Sequence, residues 1–142
     1  MSKANMIKIS LDKGAIAPSR AHPYDGGMDL FAKRGTVIDG GESFVFDTGV
    51  HLEVPEGFVG LIRSRSGMMC NHDIVTDGTI DSHYTGSIQV KLFNLGITPY
   101  AVSAGDKIAQ LVIVPCHLPR LELVDSLEET DRGDNGFGST GR

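Results

Sequence analysis

The chain has 142 residues and a formal charge of −5, long enough for one domain with its own core and too acidic to hold nucleic acid through its overall field. No apolar run approaches the roughly 18 residues that a membrane span needs, and no signal peptide is expected ahead of the first strand. Two cysteines, Cys70 and Cys116, make no disulfide framework, so a cytoplasmic chain with reduced thiols is expected, and any anionic substrate must be met by a local group of arginines.

At the amino end Ile7, Ile9 and Leu11 alternate with Lys8, Ser10 and Asp12, the pattern of a half-buried strand. A loop, APSRAHPYDGG, follows, and MDLFA then places Met28, Leu30 and Ala32 on one face with Asp29 and Phe31 on the other. Gly35 and Gly40-Gly41 punctuate short strands. Val50, Leu52 and Val54 alternate with His51 and Glu53 up to the turn Pro55-Glu56-Gly57. FVGLI runs as a strand into Arg63-Ser64-Arg65-Ser66-Gly67, and MMCN just beyond is the one place where a helical turn or two is expected.

GTIDSHYTG, from Gly78 to Gly86, comes next and leads straight into SIQVKLF. Glycine at both ends lets the backbone turn sharply or approach a ligand, and the stretch reads as a β-hairpin whose tip presents Asp81 and Tyr84. Asp is a common turn residue, so taken alone the stretch favours a structural role over a chemical one. Ile88, Val90 and Leu92 then alternate with Gln89, Lys91 and Phe93. KIAQLVIV is apolar enough for burial on both faces, and LELV is the last strand. Turn signals about every eight to twelve residues, without a sustained helical period, predict a small all-β sandwich or jelly roll. There is no internal repeat and no linker between domains.

The carboxyl end changes character. DRGDNGFGSTGR cannot bury enough surface to order itself, so residues 1–130 are expected to form the domain and 131–142 a flexible arm. Phe137 is the arm's one apolar side chain, and it lies among glycines whose N–H groups can converge on an anion. Arg132, Ser139 and Thr140 add phosphate-compatible donors, although no GxxxxGK[ST] loop is present.

Together these stretches resemble the trimeric dUTPase family (deoxyuridine 5′-triphosphate nucleotidohydrolases) along nearly the whole chain. Five motifs stand in the family's order: GGMDLFA, RSRSG, GTIDSHYTG with QVKLFN, GDKIAQLVIVPC, and DRGDNGFGSTGR. RSG alone would be weak, whereas the third and fifth motifs together are highly specific. The resemblance implies a distorted jelly-roll, β-barrel-like subunit of the β-clip kind with at most one short helix. It also implies a homotrimer with active sites shared between subunits, and an arm that closes over bound nucleotide. The implied reaction is dUTP plus water to dUMP and diphosphate, keeping uracil out of DNA and supplying dUMP for thymidylate synthesis, with Mg²⁺ on the triphosphate.

By that resemblance Asp81 orients and deprotonates the attacking water, a task suited to a carboxylate that is ionised at neutral pH. Tyr84 packs against deoxyribose, the backbone of Gly78, Thr79 and Ile80 pairs with the uracil edge, and Gln89 lies near the base. Fixed backbone donors and acceptors reject cytosine, whose amino group puts a donor where uracil accepts. Arg65, Ser66 and Gly67 contact phosphates from the start of the short helix, with Gln110 on the phosphate side. Arg132 reaches the γ-phosphate, Phe137 stacks on uracil, and Gly138, Ser139 and Thr140 close around the phosphates. Asp29 supports the metal through water.

Some residues depart from the family pattern. Ser64 stands where the second motif usually carries proline and is expected to loosen that turn. The loop from His72 to Gly78 is short and lacks the asparagine that often reads uracil, so that contact is either missing or supplied otherwise, with Thr76 as a candidate. His83 replaces an acidic or small residue at an expected solvent-facing position. A dCTP deaminase-like relative would need a catalytic glutamate, and the third motif has no acid but Asp81. A non-catalytic β-trimer interaction module could use Arg132-Gly133-Asp134, which the arm already explains. Cys70, His72, Cys116 and His117 fit no standard zinc spacing.

Overall fold

The computed structural model describes residues 5–141; the start of the expected domain, 1–4, and the arm's last residue, Arg142, lie outside them. Along the chain come β1 (Ile9–Leu11), β2 (Gly27–Phe31), β3 (Thr36–Ile38), β4 (Ser43–Leu52) and β5 (Phe58–Arg63). Helix α1 (Ser66–His72) follows where MMCN predicted it. Then come β6 (Ile74–Val75), β7 (Asp77–Ile80), β8 (Ser87–Asn94), β9 (Tyr100–Val102) and β10 (Lys107–Pro115). One open sheet has the order β1-β4-β8-β6 and a second β2-β10-β5-β7, while β3 pairs with β9. The architecture is the all-β, jelly-roll-like one expected, with one short helix among the described residues.

Period-two alternation builds the core. Ile88, Val90 and Leu92 on β8 are buried, as are Phe46, Val50 and Leu52 on β4 and Val54 just beyond. From the other sheet Leu30, Ile62, Ile80, Ile108, Ala109 and Leu111 join the same hydrophobic cluster. Each such large side chain contributes roughly 1.5–3 kcal/mol on leaving water. Fully buried Asn94 ends β8 with its amide satisfied: Nδ2 donates to the carbonyls of Ile38 (2.9 Å) and Thr98 (2.8 Å), and Oδ1 accepts from Gly96 N–H (3.0 Å).

The Gly78–Gly86 stretch is not a hairpin. β7 pairs with β5, whereas β8 pairs with β4 and β6 in the other sheet, so residues 81–86 cross between sheets. Reciprocal packing fixes the choice: Ile80 lies opposite Gly60 and Gly78 opposite Ile62. A Cβ on Gly60 would come within 3.0 Å of Ile80 Cβ, and one on Gly78 within 3.2 Å of Ile62 Cδ1. Each isoleucine therefore fills the space its partner glycine leaves.

The ends differ from expectation for one reason, the lack of a covering layer within the chain. β1 is a short edge strand whose Ile9 and Leu11 stay exposed rather than half-buried. LELV forms no strand, and Leu121 and Leu123 are fully solvent-facing, because a strand needs a neighbour for its backbone groups. In β10 burial is complete at Ile108, Ala109 and Leu111 but only partial from Val112 to Val114. The short segment after His72 is not plain loop; it holds β6 and β7.

Candidate active site

β7 is the last strand of its sheet, so the peptide groups along its outer edge are free to pair with a ligand. Directly after it the chain turns: Tyr84 N–H donates to Asp81 carbonyl (3.2 Å), and His83 adopts a left-handed φ of 69°. The Tyr84 ring folds back over Gly86, where a Cβ would lie 2.6 Å from the phenolic oxygen. Its hydroxyl donates to the carbonyl of Ser87 at 3.0 Å. The result is a cavity of 230 Å³ lined by Ile62, Gly78, Thr79, Ile80, Asp81, Tyr84 and Gln89. The five residues expected on the base and sugar side line one hollow together with Asp81, which is exposed on it.

A second group forms where β2, β5 and β10 run side by side. Gln110 stands between Asp29 on β2 and Arg63 on β5. Its Nε2 donates to the Ser64 carbonyl at 3.1 Å, and its side chain fills the space that Gly27 leaves by having none. Arg65, the residue capping α1, points Nη1 at the Lys107 carbonyl (3.1 Å) and Nε toward Asp29 (4.0 Å). No side chain caps α1, so the N–H groups of Ser66 and Gly67 are left for another acceptor. Asp29 is already engaged by Lys107 Nζ at 3.0 Å. Lys107 was missed by sequence reading, although it is the one cation inside GDKIAQ.

Ser64 tightens its turn instead of loosening it. Its hydroxyl donates to the Thr76 carbonyl and accepts from the Thr76 N–H, both at 2.9 Å, binding the end of β5 to the link between β6 and β7. Proline at this position could make neither bond. Thr76 is no substitute for the uracil-reading asparagine in this arrangement: it does not line the cavity, and its hydroxyl is buried without a partner. His83 is solvent-facing as expected, with Nε2 2.8 Å from Glu56 Oε1.

The arm residues Arg132, Phe137, Gly138, Ser139 and Thr140 are all exposed and line neither group. The arm's own turns hold it: Arg132 Nε donates to Asn135 carbonyl at 3.0 Å, and Ser139 N–H to Gly136 carbonyl at 3.2 Å. One chain therefore presents a base-sized hollow, a cationic cluster and a free arm as three separate parts.

No group of three or more His, Cys, Asp or Glu side chains among the described residues is arranged to hold a metal ion. Asp29, paired with Lys107, suits an outer contact to a hydrated cation whose other oxygens come from phosphates and water.

The family model described as dUTPase matches residues 13–141. The deoxyuridine 5′-triphosphate nucleotidohydrolase of Anaplasma marginale is 42% identical over 146 residues, covering 99% of each chain. That of Gloeothece citriformis is 44% identical, covering 95% of this chain and 96% of its own. Among solved structures, the Staphylococcus bacteriophage 80alpha dUTPase with dUPNHPP superposes with a TM-score of 0.91 at 32% identity, covering 97% of this chain and 99% of that one. A dUTPase from phage phi11 of S. aureus, described with a structural Mg(II) ion, superposes with a TM-score of 0.82 at 31% identity over 88% of this chain and 100% of its own.

Proposed function

The chain belongs to the dUTPase family, and from that premise we propose that it hydrolyses dUTP to dUMP and diphosphate, the water oxygen bonding the α-phosphorus as the α–β bridging bond breaks. The observation that carries this reading is the hollow beside the open edge of β7, with Asp81 and Tyr84 on its rim. Peptide groups of Gly78, Thr79 and Ile80 pair with the uracil edge, Gln89 flanks the base, and Tyr84 supports the deoxyribose. Asp81 orients the water and takes its proton. Arg65, the free N–H groups of Ser66 and Gly67, and Gln110 receive the phosphates. A bound Mg²⁺ would be held mainly by the substrate phosphates, with Asp29 in contact through water, and would supply neutralisation of the triphosphate charge. The activity keeps uracil out of DNA and supplies dUMP for thymidylate synthesis.

The working unit in this reading is a homotrimer. The separation of hollow, cationic cluster and arm supports it, as do the uncovered Ile9, Leu11, Leu121 and Leu123. The arm, residues 131–142, closes over nucleotide bound to the domain formed by 1–130. Two unpaired thiols, Cys70 and Cys116, support a cytoplasmic setting. Among the described residues no helix is long and apolar enough to cross a membrane.

Diphosphate release from dUTP, dTTP, dCTP and UTP, each with Mg²⁺ and with excess EDTA, tests the reading. Turnover is expected with dUTP alone, suppressed by EDTA and restored by added Mg²⁺. Ammonia release from dCTP would favour the deaminase-like relative, and no turnover of any nucleotide would favour the non-catalytic module.

Phe137→Ala is expected to lower kcat/KM about ten- to a hundredfold while leaving the melting temperature of the free protein unchanged. Phe137 is fully exposed, so its loss removes no core packing. Its stack on uracil is worth roughly 1–3 kcal/mol. A large drop in melting temperature without nucleotide would place Phe137 in a core instead.

A further inference from the structure

Strand β4 carries an irregularity directly opposite the point where the active-site turn enters β8. Asp47 pairs with Gln89 and His51 with Ser87, so Thr48, Gly49 and Val50 stand against Ile88 alone. Gly49 makes this possible with a φ of 68°, and a Cβ there would sit 2.9 Å from both Ala15 Cβ and Lys33 Cδ. Thr48 Oγ1 donates to the Ile88 carbonyl at 2.7 Å, and Asp47 accepts from the Ser87 hydroxyl and from Gly49 N–H. Bulges of this kind re-aim side chains beside active sites. The side chain re-aimed here is His51. Its Nδ1 lies 2.7 Å from the Thr85 carbonyl and its Nε2 3.0 Å from Asp12 Oδ1.

We propose that His51, held by Asp12, is a positioning residue for dUTP hydrolysis, fixing the Thr85 carbonyl and with it the turn that carries Asp81 and Tyr84. This rests on the dUTPase reading. Both ring nitrogens face acceptors, an arrangement that only the imidazolium, with two N–H donors, satisfies fully. The ring's proton affinity is raised, first by the Thr85 carbonyl and then by Asp12, with Asp47 adding a second negative charge nearby. Lys33 in turn acts on Asp47, whose own pKa is lowered chiefly by the Ser87 hydroxyl. A group bound more tightly to its proton in the folded state stabilises that state below its unfolded pKa. That contribution disappears as pH rises through the folded pKa. When the ring becomes neutral, its single N–H stays with the charged carboxylate of Asp12, the stronger acceptor, and Thr85 is released.

The consequence is a split between binding and turnover. The uracil edge is read by β7, which β5 holds independently, so when His51 is altered KM rises only through the Tyr84 contact with deoxyribose, by less than kcat falls. Asp81 and Tyr84 lie on the released turn, so kcat falls. His51→Ala is expected to lower kcat about tenfold, in line with the sensitivity of rates to misplaced groups. In His51→Asn the amide nitrogen takes the place of Nδ1 and donates to Thr85 without titrating. It should recover kcat to within about threefold and lack the alkaline fall in kcat that the proposal predicts for the wild type. In His51→Gln the amide reaches toward Asp12 instead and should not recover.

The experiment measures kcat and KM for these variants from pH 6 to 9, together with amide hydrogen exchange across residues 82–86 at each pH. Slower exchange and higher kcat in Asn than in Gln or Ala are expected. Equal kcat and exchange in all variants, or Gln matching Asn, would overturn the proposal. If Ala does not fold, the Asn–Gln comparison decides alone. A wild type inactive on dUTP would sink the dUTPase reading, while the exchange data would still report whether His51 holds the turn.

Discussion

Asp81→Asn is expected to bind dUTP about as well as the wild type and to lower kcat by roughly 10²- to 10⁴-fold, the range for losing a positioned base. The amide is nearly isosteric with the carboxylate but cannot accept the water's proton. Asp81 is free for this work: among the described residues its carboxylate has no ion pair and no side-chain hydrogen bond, and it lies exposed on the hollow. Its backbone is fixed nonetheless, by β7 on one side and by the Tyr84 N–H to Asp81 carbonyl bond on the other. The substitution should therefore leave the melting temperature unchanged. Single-turnover hydrolysis with bound dUTP separates chemistry from binding, and a rate within a few-fold of wild type would remove Asp81 from the role of base.

The second expected result concerns assembly. A chain with Asp81→Ala keeps its arm, and a chain cut after Thr130 keeps Asp81; each alone leaves every site lacking one part. Among the described residues the arm's hydrogen bonds stay within residues 130–141, and none of its residues lines that chain's own hollow. If the two parts meet only across a subunit boundary, mixed trimers contain sites that draw Asp81 from the truncated chain and the arm from the substituted one. Random assortment in a closed ring makes roughly a quarter of the sites complete at equal mixing. Co-refolding should restore about that fraction of wild-type activity, and mixing without subunit exchange should restore none. Verified mixed trimers that stay inactive would show that both parts act within one chain.

Where the sequence was legible, the information was local. Ile88, Val90 and Leu92 alternate with polar neighbours, and the apolar set is buried as the period requires. The same holds for Val50, Leu52 and Val54, for the helical turns after Arg65, and for the glycine-flanked segment that brings Asp81 and Tyr84 to one hollow. LELV shows the limit of the same pattern, since alternation marks an apolar face without supplying anything to cover it.

The pairings across the fold were decided only in three dimensions. Two strands separated by a tight turn read alike whether they join one sheet or cross to another. It was the fit of Ile80 against Gly60 and Ile62 against Gly78 that sent β7 to β5. Ser64 could be recognised as a departure, yet its two bonds to Thr76 depend on β5 and the β6–β7 link lying side by side. Lys107 became part of the site because β10 runs beside β2 and brings it to Asp29. His51 read as one polar residue in an alternating strand. The irregularity at Thr48–Val50 then set its ring between Asp12 and Thr85, residues remote from it in sequence. Side-chain periodicity is carried by neighbouring residues and can be read directly. Hydrogen-bond partners between distant segments are set by how the sheets pack, and that information is spread over the whole chain.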